Sequence, residues 1–343
     1  MIRIMVSPCR RSLSCAPPAR PSSRAPRRRA MPQVTHPAPS EGLVARLAAR
    51  LTYADALVVV TGAAMLIVAT VASTRLQEDR GMPLALAASL ALMVVGIHFG
   101  QSGGARRDTL TRLVGYLAWI WFFHATAGVL IGGLHLPRYE RELASIDVAL
   151  FGQPLTVATQ ALASPLLTEI TQFAYNLYYF SVLALPLTLA LQGRRQAFFE
   201  TAAVLLTIHC VVVLGTLALP ALWPTLAAAD PSLAGVVHFD TPVTGLALTD
   251  ALRTMTATGT THIYDAFPSG HTAMTLATVI LTARYLRRYL WFLVPHAILI
   301  VFGTIYLRYH YAIDIVAGAA LALAVVAVVR RRFAADLALE PAV

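Results

Sequence analysis

Long apolar segments recur along this chain, and they constrain its fold more than any other feature of the sequence. A transmembrane helix needs about 20 mostly apolar residues to cross a hydrocarbon core about 30 Å thick. Runs of roughly this length lie near residues 55–73, 82–100, 113–134, 170–191, 197–219, 269–285, 289–307 and 312–330. Because a helix satisfies its own backbone hydrogen bonds in lipid, we predict an all-α, polytopic transmembrane bundle of about eight spans.

The composition also indicates a membrane protein. Of the 343 residues, 57% are hydrophobic and 13% are charged, and the mean hydropathy is +0.65. Soluble domains carry about 25% charged residues, so ordinary packing cannot hide this much apolar surface from water. These values exclude a soluble enzyme and a disordered chain. The three cysteines do not indicate a disulfide framework and lack the spacing of metal ligands. No metal and no cofactor are expected.

The charges are distributed as in a multi-pass membrane protein. All 27 basic residues are arginines, and the formal net charge is +10. Ten of them lie in the first 50 residues and most of the others flank apolar runs, which argues against a nucleic-acid partner. With a cytoplasmic N-terminus and alternating spans, 21 arginines fall on the cytoplasmic side and 6 on the other. This bias predicts that both termini are cytoplasmic and that the loop 220–267 lies outside the cytoplasm.

We expect four regions along the chain. They are a basic disordered cytoplasmic tail (residues 1–50), two extra transmembrane helices (51–112), a six-helix membrane domain (113–332) and a short cytoplasmic tail (333–343). An alternative start at Met31 would remove most of the first tail. The stretch 143–163 is shorter and less hydrophobic than the spans, and we expect it to lie at the membrane interface. Abundant arginine and alanine are typical of a GC-rich genome, which favours a bacterial plasma membrane.

Two short passages carry residues suited to catalysis, and the predicted topology brings both to the outer membrane face. The first runs from Phe267 to Thr272. Ser269 is placed to cap the following helix, whose N-terminus would attract a phosphate. Gly270 would let a substrate approach the backbone closely, and His271 would stand beside this anion site as a proton donor.

The second passage runs from Arg308 to Asp314. His310 and Asp314 are four residues apart and therefore predicted on one helix face. A carboxylate there can hold one ring nitrogen and leave the other as a nucleophile. Ionisable groups are costly in a membrane, which favours a functional role over packing alone.

These residues resemble the motifs of the phosphatidic-acid-phosphatase type 2 (PAP2) superfamily. Its P-S-G-H motif matches residues 268–271, and the His-x3-Asp of its third motif matches His310 and Asp314. The resemblance implies that His310 attacks phosphorus to give a phosphohistidine, that Asp314 orients it, and that His271 protonates the leaving group. The substrates it implies are lipids in the bilayer.

The chain also departs from the phosphatase pattern. No K-x6-R-P motif is present, and Gly303 and Thr304 replace the Ser-Arg of the third motif. The His-Tyr-x-x-Asp form resembles inositol-phosphorylceramide synthases and sphingomyelin synthases, and residues 146–154 and 175–180 resemble the Aur1/Ipt1-type inositolphosphotransferase domain. The resemblance covers about residues 113–330. It implies a lipid phosphotransferase; the alternative is a lipid phosphate phosphatase that hydrolyses phosphatidate or a polyprenyl phosphate.

Other residues must therefore neutralise the phosphate. The candidates are Ser269, Gly270, Arg308, Thr304 and Arg253. The simpler interpretation of Arg308 is an interfacial anchor, and that of Arg253 is a solvated loop charge. The aromatic group at 175–180 is more typical of helix packing than of a headgroup site. Asn176, in the same span, is a candidate to face the substrate. His124 is expected to be hydrogen-bonded inside the bundle.

One alternative belongs to a different class of protein. A transporter or lipid-binding membrane protein would contain the same spans around an inactive enzyme core. The presence of His271, His310 and Asp314 together argues against it.

Overall fold

The chain is helical in the computed structural model, which describes residues 51–73, 81–100, 104–259 and 263–337. Within these ranges there is no strand, and the single β-bridge joins Ala221 to Asp265. The predicted tail of residues 1–50 and the last residues of the predicted C-terminal tail lie outside the described ranges.

Thirteen α-helices follow one another along the described chain. They are α1 (Tyr53–Ser73), α2 (Gly81–Gly100), α3 (Gly104–Leu134), α4 (Glu140–Phe151), α5 (Leu155–Ala158), α6 (Pro165–Asn176), α7 (Tyr178–Leu191), α8 (Arg195–Ala218), α9 (Pro224–Ala229), α10 (Thr249–Gly259), α11 (Gly270–Tyr285), α12 (Leu290–Tyr306) and α13 (Ala312–Leu337). Short 3-10 turns occur at Thr159–Leu162, Pro231–Leu233 and Arg287–Tyr289.

Six helical segments in the described ranges are long and apolar enough to cross a membrane. They are Tyr53–Ala72, Gly104–Leu134, Pro165–Leu191, Arg195–Ala218, Arg287–Tyr306 and Ala312–Phe333. The protein is therefore a multi-pass membrane protein. The other two predicted spans correspond to α2, with a shorter apolar stretch Pro83–Ile97, and to α11. With 16 residues at 1.5 Å each, α11 is about 24 Å long, so the count of eight stays a prediction.

The central helix of the bundle is α8, which packs against α1, α3, α7, α11 and α13. Small residues let its neighbours approach closely. A Cβ added at Gly215 of α8 would lie 2.5 Å from Pro268 Cδ, and one at Gly318 of α13 would lie 2.5 Å from the Ser269 carbonyl oxygen. These two contacts hold the N-terminus of α11 between α8 and α13.

The stretch predicted at the interface forms helices too short to span, namely α4 with 12 residues and α5 with 4. One side of α4 is buried and carries Glu140, Leu143, Ala144 and Asp147. Leu143 and Ala144 pack with Tyr311, so α4 lies against the turn that precedes α13.

A buried ion-pair network joins α1, α3 and α8. Arg112 of α3 pairs with Asp55 of α1 and donates to Asp108 at 3.0 Å. Asp55 also accepts the Tyr116 hydroxyl at 2.7 Å, and Asp108 accepts from Arg195 of α8 at 2.9 Å. Arg112 and Asp55 are fully buried, so each charge depends on its partner.

Candidate active site

The first motif forms the N-terminus of α11. Ser269 is the N-cap, as predicted, and its hydroxyl accepts the Thr272 N–H at 3.2 Å. The Ser269 N–H donates to the Asp314 carbonyl at 3.1 Å. The backbones of the two motifs are thus tied to each other directly.

Gly270 has a packing role that the sequence did not indicate. A Cβ at this position would lie 3.3 Å from Val212 Cγ1 on α8. The structure therefore places α8 against this glycine, and the approach of a substrate to its backbone stays a prediction.

The second motif begins at the C-terminus of α12, where an arginine occupies the left-handed position. After α12, Arg308 has φ +65°, its N–H donates to Ile305, and Tyr309 N–H donates to Thr304 at 3.0 Å. These two bonds form a Schellman motif, in which the left-handed position normally belongs to glycine. His310 N–H also donates to the Thr304 carbonyl at 3.0 Å, so this helix end fixes the backbone of His310.

His310 is held at one ring nitrogen by two acceptors. Its Nδ1 lies 2.7 Å from the Ala266 carbonyl oxygen and 3.3 Å from Asp314 Oδ2. A carbonyl oxygen cannot donate, so Nδ1 carries the proton and the lone pair is on Nε2. His310 is buried, and its tautomer is set by both a backbone and a side-chain acceptor.

The predicted contact between His310 and Asp314 is present, but its geometric reason differs from the prediction. Since α13 begins at Ala312, His310 precedes the helix and the two residues do not share a helix face. Asp314 lies in the first turn and reaches back, where Oδ2 also accepts the Tyr311 N–H at 2.8 Å. Oδ1 of this fully buried carboxylate has no hydrogen-bond partner within the described residues.

His271 lies beside His310, with ring centroids 5.9 Å apart. Tyr175 stacks on the His271 ring at 4.4 Å, Tyr178 approaches at 4.3 Å, and the Tyr175 hydroxyl is 3.4 Å from Nδ1. The opposite nitrogen, Nε2, is buried and has no partner in the described part of the chain. The two tyrosines therefore enclose His271, whereas Tyr179 and Phe180 of the same group are largely exposed.

Arg308 and Arg253 lie close enough to repel each other. Burial, and then Arg253, lower the pKa of Arg308. The Arg308 guanidinium lies 3.9 Å from the centroid of the Phe239 ring and donates to the Thr241 carbonyl, while its Nε is buried without a partner among the described residues. Arg253 donates to the Val243 carbonyl, and neither arginine pairs with a carboxylate in the described ranges.

Arg253 is positioned by two polar residues of α6. Glu169 accepts the Leu248 N–H at 2.7 Å and the Thr249 hydroxyl at 2.5 Å, and so holds the start of α10. Asn176 donates to the Leu252 carbonyl at 3.0 Å. The structure thus gives Asn176 a role in anchoring α10. Arg253 itself approaches Tyr309 and opposes the rise in the Tyr309 pKa that burial causes.

Thr304 is buried, and its hydroxyl donates to the Val301 carbonyl at 2.7 Å. The structure therefore ties this predicted phosphate ligand to its own helix, and the contact to His310 comes from its backbone carbonyl.

Two carboxylates near the motifs escaped the sequence analysis. Asp265 lies within electrostatic range of His271, accepts Trp223 Nε1 at 2.7 Å and is 3.6 Å from His124 Nε2. Asp147 of α4 accepts the N–H groups of Ala312 and Ile313. Asp265 lies two residues before Phe267, where the first motif passage begins. This proximity in sequence was the one signal that could have identified it as a site residue. Asp147 is far from both motifs in sequence. It belongs to the stretch 146–154, which resembles the Aur1/Ipt1-type domain but gave no sign of a contact with α13.

The site thus combines two adjacent histidines, one buried carboxylate and two arginines at the end of a helical membrane bundle. Within the described residues, no group of three or more His, Cys, Asp or Glu side chains is arranged to hold a metal ion. A histidine with a fixed tautomer beside a second histidine is suited to nucleophilic and acid–base chemistry on a phosphoryl group.

The comparison with known families agrees with this class. The model of the PAP2 superfamily matches residues 141–328, which is more than half of the chain and includes both motifs. The chain belongs to the PAP2 superfamily. Members of this superfamily are phosphatases or phosphotransferases, and the protein is therefore an enzyme of that kind. No curated protein and no solved structure matched the chain.

Proposed function

We propose that this protein is a lipid phosphotransferase, similar to inositol-phosphorylceramide synthases, that moves a phosphate-linked headgroup between lipids through a phosphohistidine. The observation that carries the proposal is the pair of histidine rings 5.9 Å apart, one of which has its Nδ1 proton fixed by Ala266 and Asp314. At this separation both rings can reach one phosphoryl group.

In the first step, His310 Nε2 attacks phosphorus and the bond from phosphorus to the donor lipid oxygen breaks. A proton on His271 Nε2 passes to that oxygen, so a neutral alcohol leaves. The negative charge of the bound phosphate offsets the cost of an imidazolium ion in this buried place, and the adjacent rings of Tyr175 and Tyr178 stabilise the cation further.

In the second step, an acceptor hydroxyl gives its proton to His271 Nε2 and attacks phosphorus. The bond between phosphorus and His310 Nε2 breaks, and both histidines return to their starting states. Splitting the reaction lets the first alcohol depart before the acceptor arrives.

The phosphate charge is neutralised, in this proposal, by Arg308 and Arg253 together with the helix N-terminus at Ser269 and Gly270. The support is the mutual proximity of two arginines without carboxylate partners in the described residues. Guanidinium groups bind phosphate through several parallel hydrogen bonds, which also fixes its orientation.

An alcohol-bearing lipid is a better acceptor for this site than water. His271 is enclosed by Tyr175 and Tyr178, and its Nε2 is buried. The replacement of the phosphatase Ser-Arg pair by Gly303 and Thr304 points the same way. The alternative function, hydrolysis of a lipid phosphate, needs water at the same nitrogen.

We also propose that the site opens on the outer face of a bacterial plasma membrane. The support is the arginine distribution, which favours cytoplasmic termini. Labelling single-cysteine variants in whole cells with a membrane-impermeant thiol reagent tests this, with Ser232 as an outer position and Arg331 as a cytoplasmic one. The proposal predicts labelling of the Ser232→Cys variant alone, and the reverse pattern would overturn the orientation.

The reaction is tested with purified protein and lipids labelled in the phosphate group, with and without ceramide or diacylglycerol. The proposal predicts a new labelled lipid only when an acceptor is present, and the donor that is consumed identifies the headgroup. Release of free phosphate that is independent of the acceptor would instead show the phosphatase activity. His310→Ala is the control and should give neither product.

A further inference from the structure

Asp147 lies at the start of α13, although it belongs to α4 and is far from both motifs in sequence. Its Oδ2 accepts the Ala312 N–H at 2.7 Å and its Oδ1 accepts the Ile313 N–H at 2.9 Å. The side chain is fully buried. Ala312 and Ile313 are the first two residues of α13, and their N–H groups have no acceptor inside the helix.

The residues of α13 itself do not provide this cap. Tyr311, which precedes the helix, has no side-chain oxygen close to its backbone that could accept these N–H groups, unlike the usual Ser, Thr, Asp or Asn. The other carboxylate at this helix end is Asp314, whose Oδ2 is already shared by Tyr311 N–H and His310 Nδ1. Its Oδ1 has no partner in the described part of the chain.

We propose that Asp147 is a positioning residue for the His310 nucleophile: by binding the first two N–H groups of α13, it keeps Asp314 directed at His310. Without Asp147, the Ala312 and Ile313 N–H groups would lack an acceptor, and Asp314, in the same first turn of α13, carries a carboxylate that could turn towards them. The carboxylate would then turn from His310 towards its own helix N-terminus. This role rests on the proposed phosphohistidine chemistry.

The cost of the arrangement supports a role beyond simple capping. Burial raises the pKa of Asp147, and the two backbone N–H groups only partly oppose this rise. Because the folded-state pKa lies above the unfolded one, the protein loses stability as the pH rises from the unfolded-state pKa through the folded-state pKa of Asp147. Asp147→Asn removes this charge at nearly constant volume and keeps one acceptor, so we expect the variant to fold.

The test is a double-mutant cycle on the single-turnover rate of phosphoenzyme formation from a phosphorus-labelled donor lipid. We expect Asp147→Asn to slow the wild-type rate roughly 10- to 100-fold with KM nearly unchanged, as for a misplaced catalytic group. In an Asp314→Ala background, the same change should slow the rate less than about 2-fold, because the side chain through which Asp147 acts is already gone.

Leu143→Ala is the matched control, since it loosens the buried side of the same helix without touching the N–H groups of α13. It should lower the Tm and have equal kinetic effects in both backgrounds. Equal slowing by Asp147→Asn in both backgrounds, or no slowing in the wild type, would overturn the inference. A wild-type protein that forms no phosphoenzyme would overturn the proposed function instead.

Discussion

At the scale of single residues, the tautomer of His310 depends on a backbone carbonyl as much as on the Asp314 carboxylate. Ala266 O is 2.7 Å from His310 Nδ1, whereas Asp314 Oδ2 is 3.3 Å away. The Ala266 N–H in turn donates to Ala221 at 3.2 Å, which fixes that carbonyl. The tautomer of His310 therefore has two independent restraints.

Asp314→Asn should consequently keep measurable activity. The amide oxygen can replace Oδ2 as acceptor for Tyr311 and His310, and Ala266 still holds the tautomer. We expect a loss well below the roughly 10⁴-fold that follows when a catalytic histidine takes the wrong tautomer. Steady-state rates of this variant and of His310→Ala, measured side by side, check this. Equal loss in the two variants would contradict the role of Ala266.

His271→Ala should slow turnover least for donors with good leaving groups. A general acid typically contributes about 10²- to 10⁴-fold, and this contribution vanishes when the departing oxygen needs no proton. The measurement is kcat across a series of phosphodiesters whose alcohols differ in pKa. A constant loss across the series would remove His271 from proton transfer.

Arg308 combines an unfavourable backbone conformation with a charged side chain. Its φ of +65° costs a non-glycine residue about 1–2 kcal/mol. Arg308→Gly and Arg308→Ala both delete the guanidinium, so both should lose activity equally. The glycine variant should be the more stable of the two by about 1 kcal/mol. Thermal unfolding in detergent and activity assays test the pair, and greater stability of the alanine variant would contradict the strained turn.

Motif spacing predicted the three central side chains, and it did not predict their supports. The carbonyl of Ala266 has no sequence signature because every residue carries one. Asp147 is 165 residues from the N–H of Ala312 that it binds, so no local pattern relates them. The left-handed turn at Arg308 was not predicted because glycine normally marks that position of a helix C-terminus, and this chain has arginine there.

At the scale of the helices, the site depends on the close contact of α11 with α13. At Gly318 an added Cβ would meet the Ser269 carbonyl oxygen at 2.5 Å, and backbone atoms do not yield easily. Both motifs meet at this contact. The close spacing of α11 and α13 therefore requires glycine at position 318.

Gly318→Ala should destabilise the protein by about 1–3 kcal/mol and lower kcat, because α11 must move away from α13. Gly132→Ala is the control on α3, where an added Cβ meets no atom within 4 Å. That variant should be neutral or slightly stabilising, by up to about 1 kcal/mol, since alanine favours helix. Tm and kcat of both variants check this, and equal behaviour would show that the contact does not restrain the site.

The apolar runs predicted where the long helices lie, but not their breaks. The span at 165–191 consists of α6 and α7, which meet at Leu177. The helix α10 has no apolar run to reveal it, and it is held by Glu169 and Asn176 from another helix. Such tertiary contacts are not visible in hydropathy.

At the scale of the whole molecule, buried charges attach α1 and the start of α3, which precede the family match, to the family core. The family match begins at residue 141, whereas Asp55, Arg112 and Asp108 precede it. Their network reaches the central helix through Arg195. The helices α1 and α3 are therefore part of one folded unit with the core.

Arg112→Met should destabilise the protein by about 3–5 kcal/mol, because it leaves Asp55 and Asp108 as buried charges without their shared cation. Arg107→Met, which removes an exposed charge from the same helix, should change little. Thermal unfolding of both variants in detergent measures the difference. Similar Tm values would show that the network does not support the fold.

The most direct test of the account is whether His310 becomes phosphorylated during turnover. Protein quenched after brief mixing with a phosphorus-labelled donor lipid should carry label that is lost in acid and retained in alkali, as phosphohistidine is. Peptide mapping should place the label on His310, and the His310→Ala variant should carry no label. The His271→Ala variant should accumulate the labelled intermediate when the donor has a good leaving group. Full lipid turnover by His310→Ala, or label on another residue, would contradict the central claim.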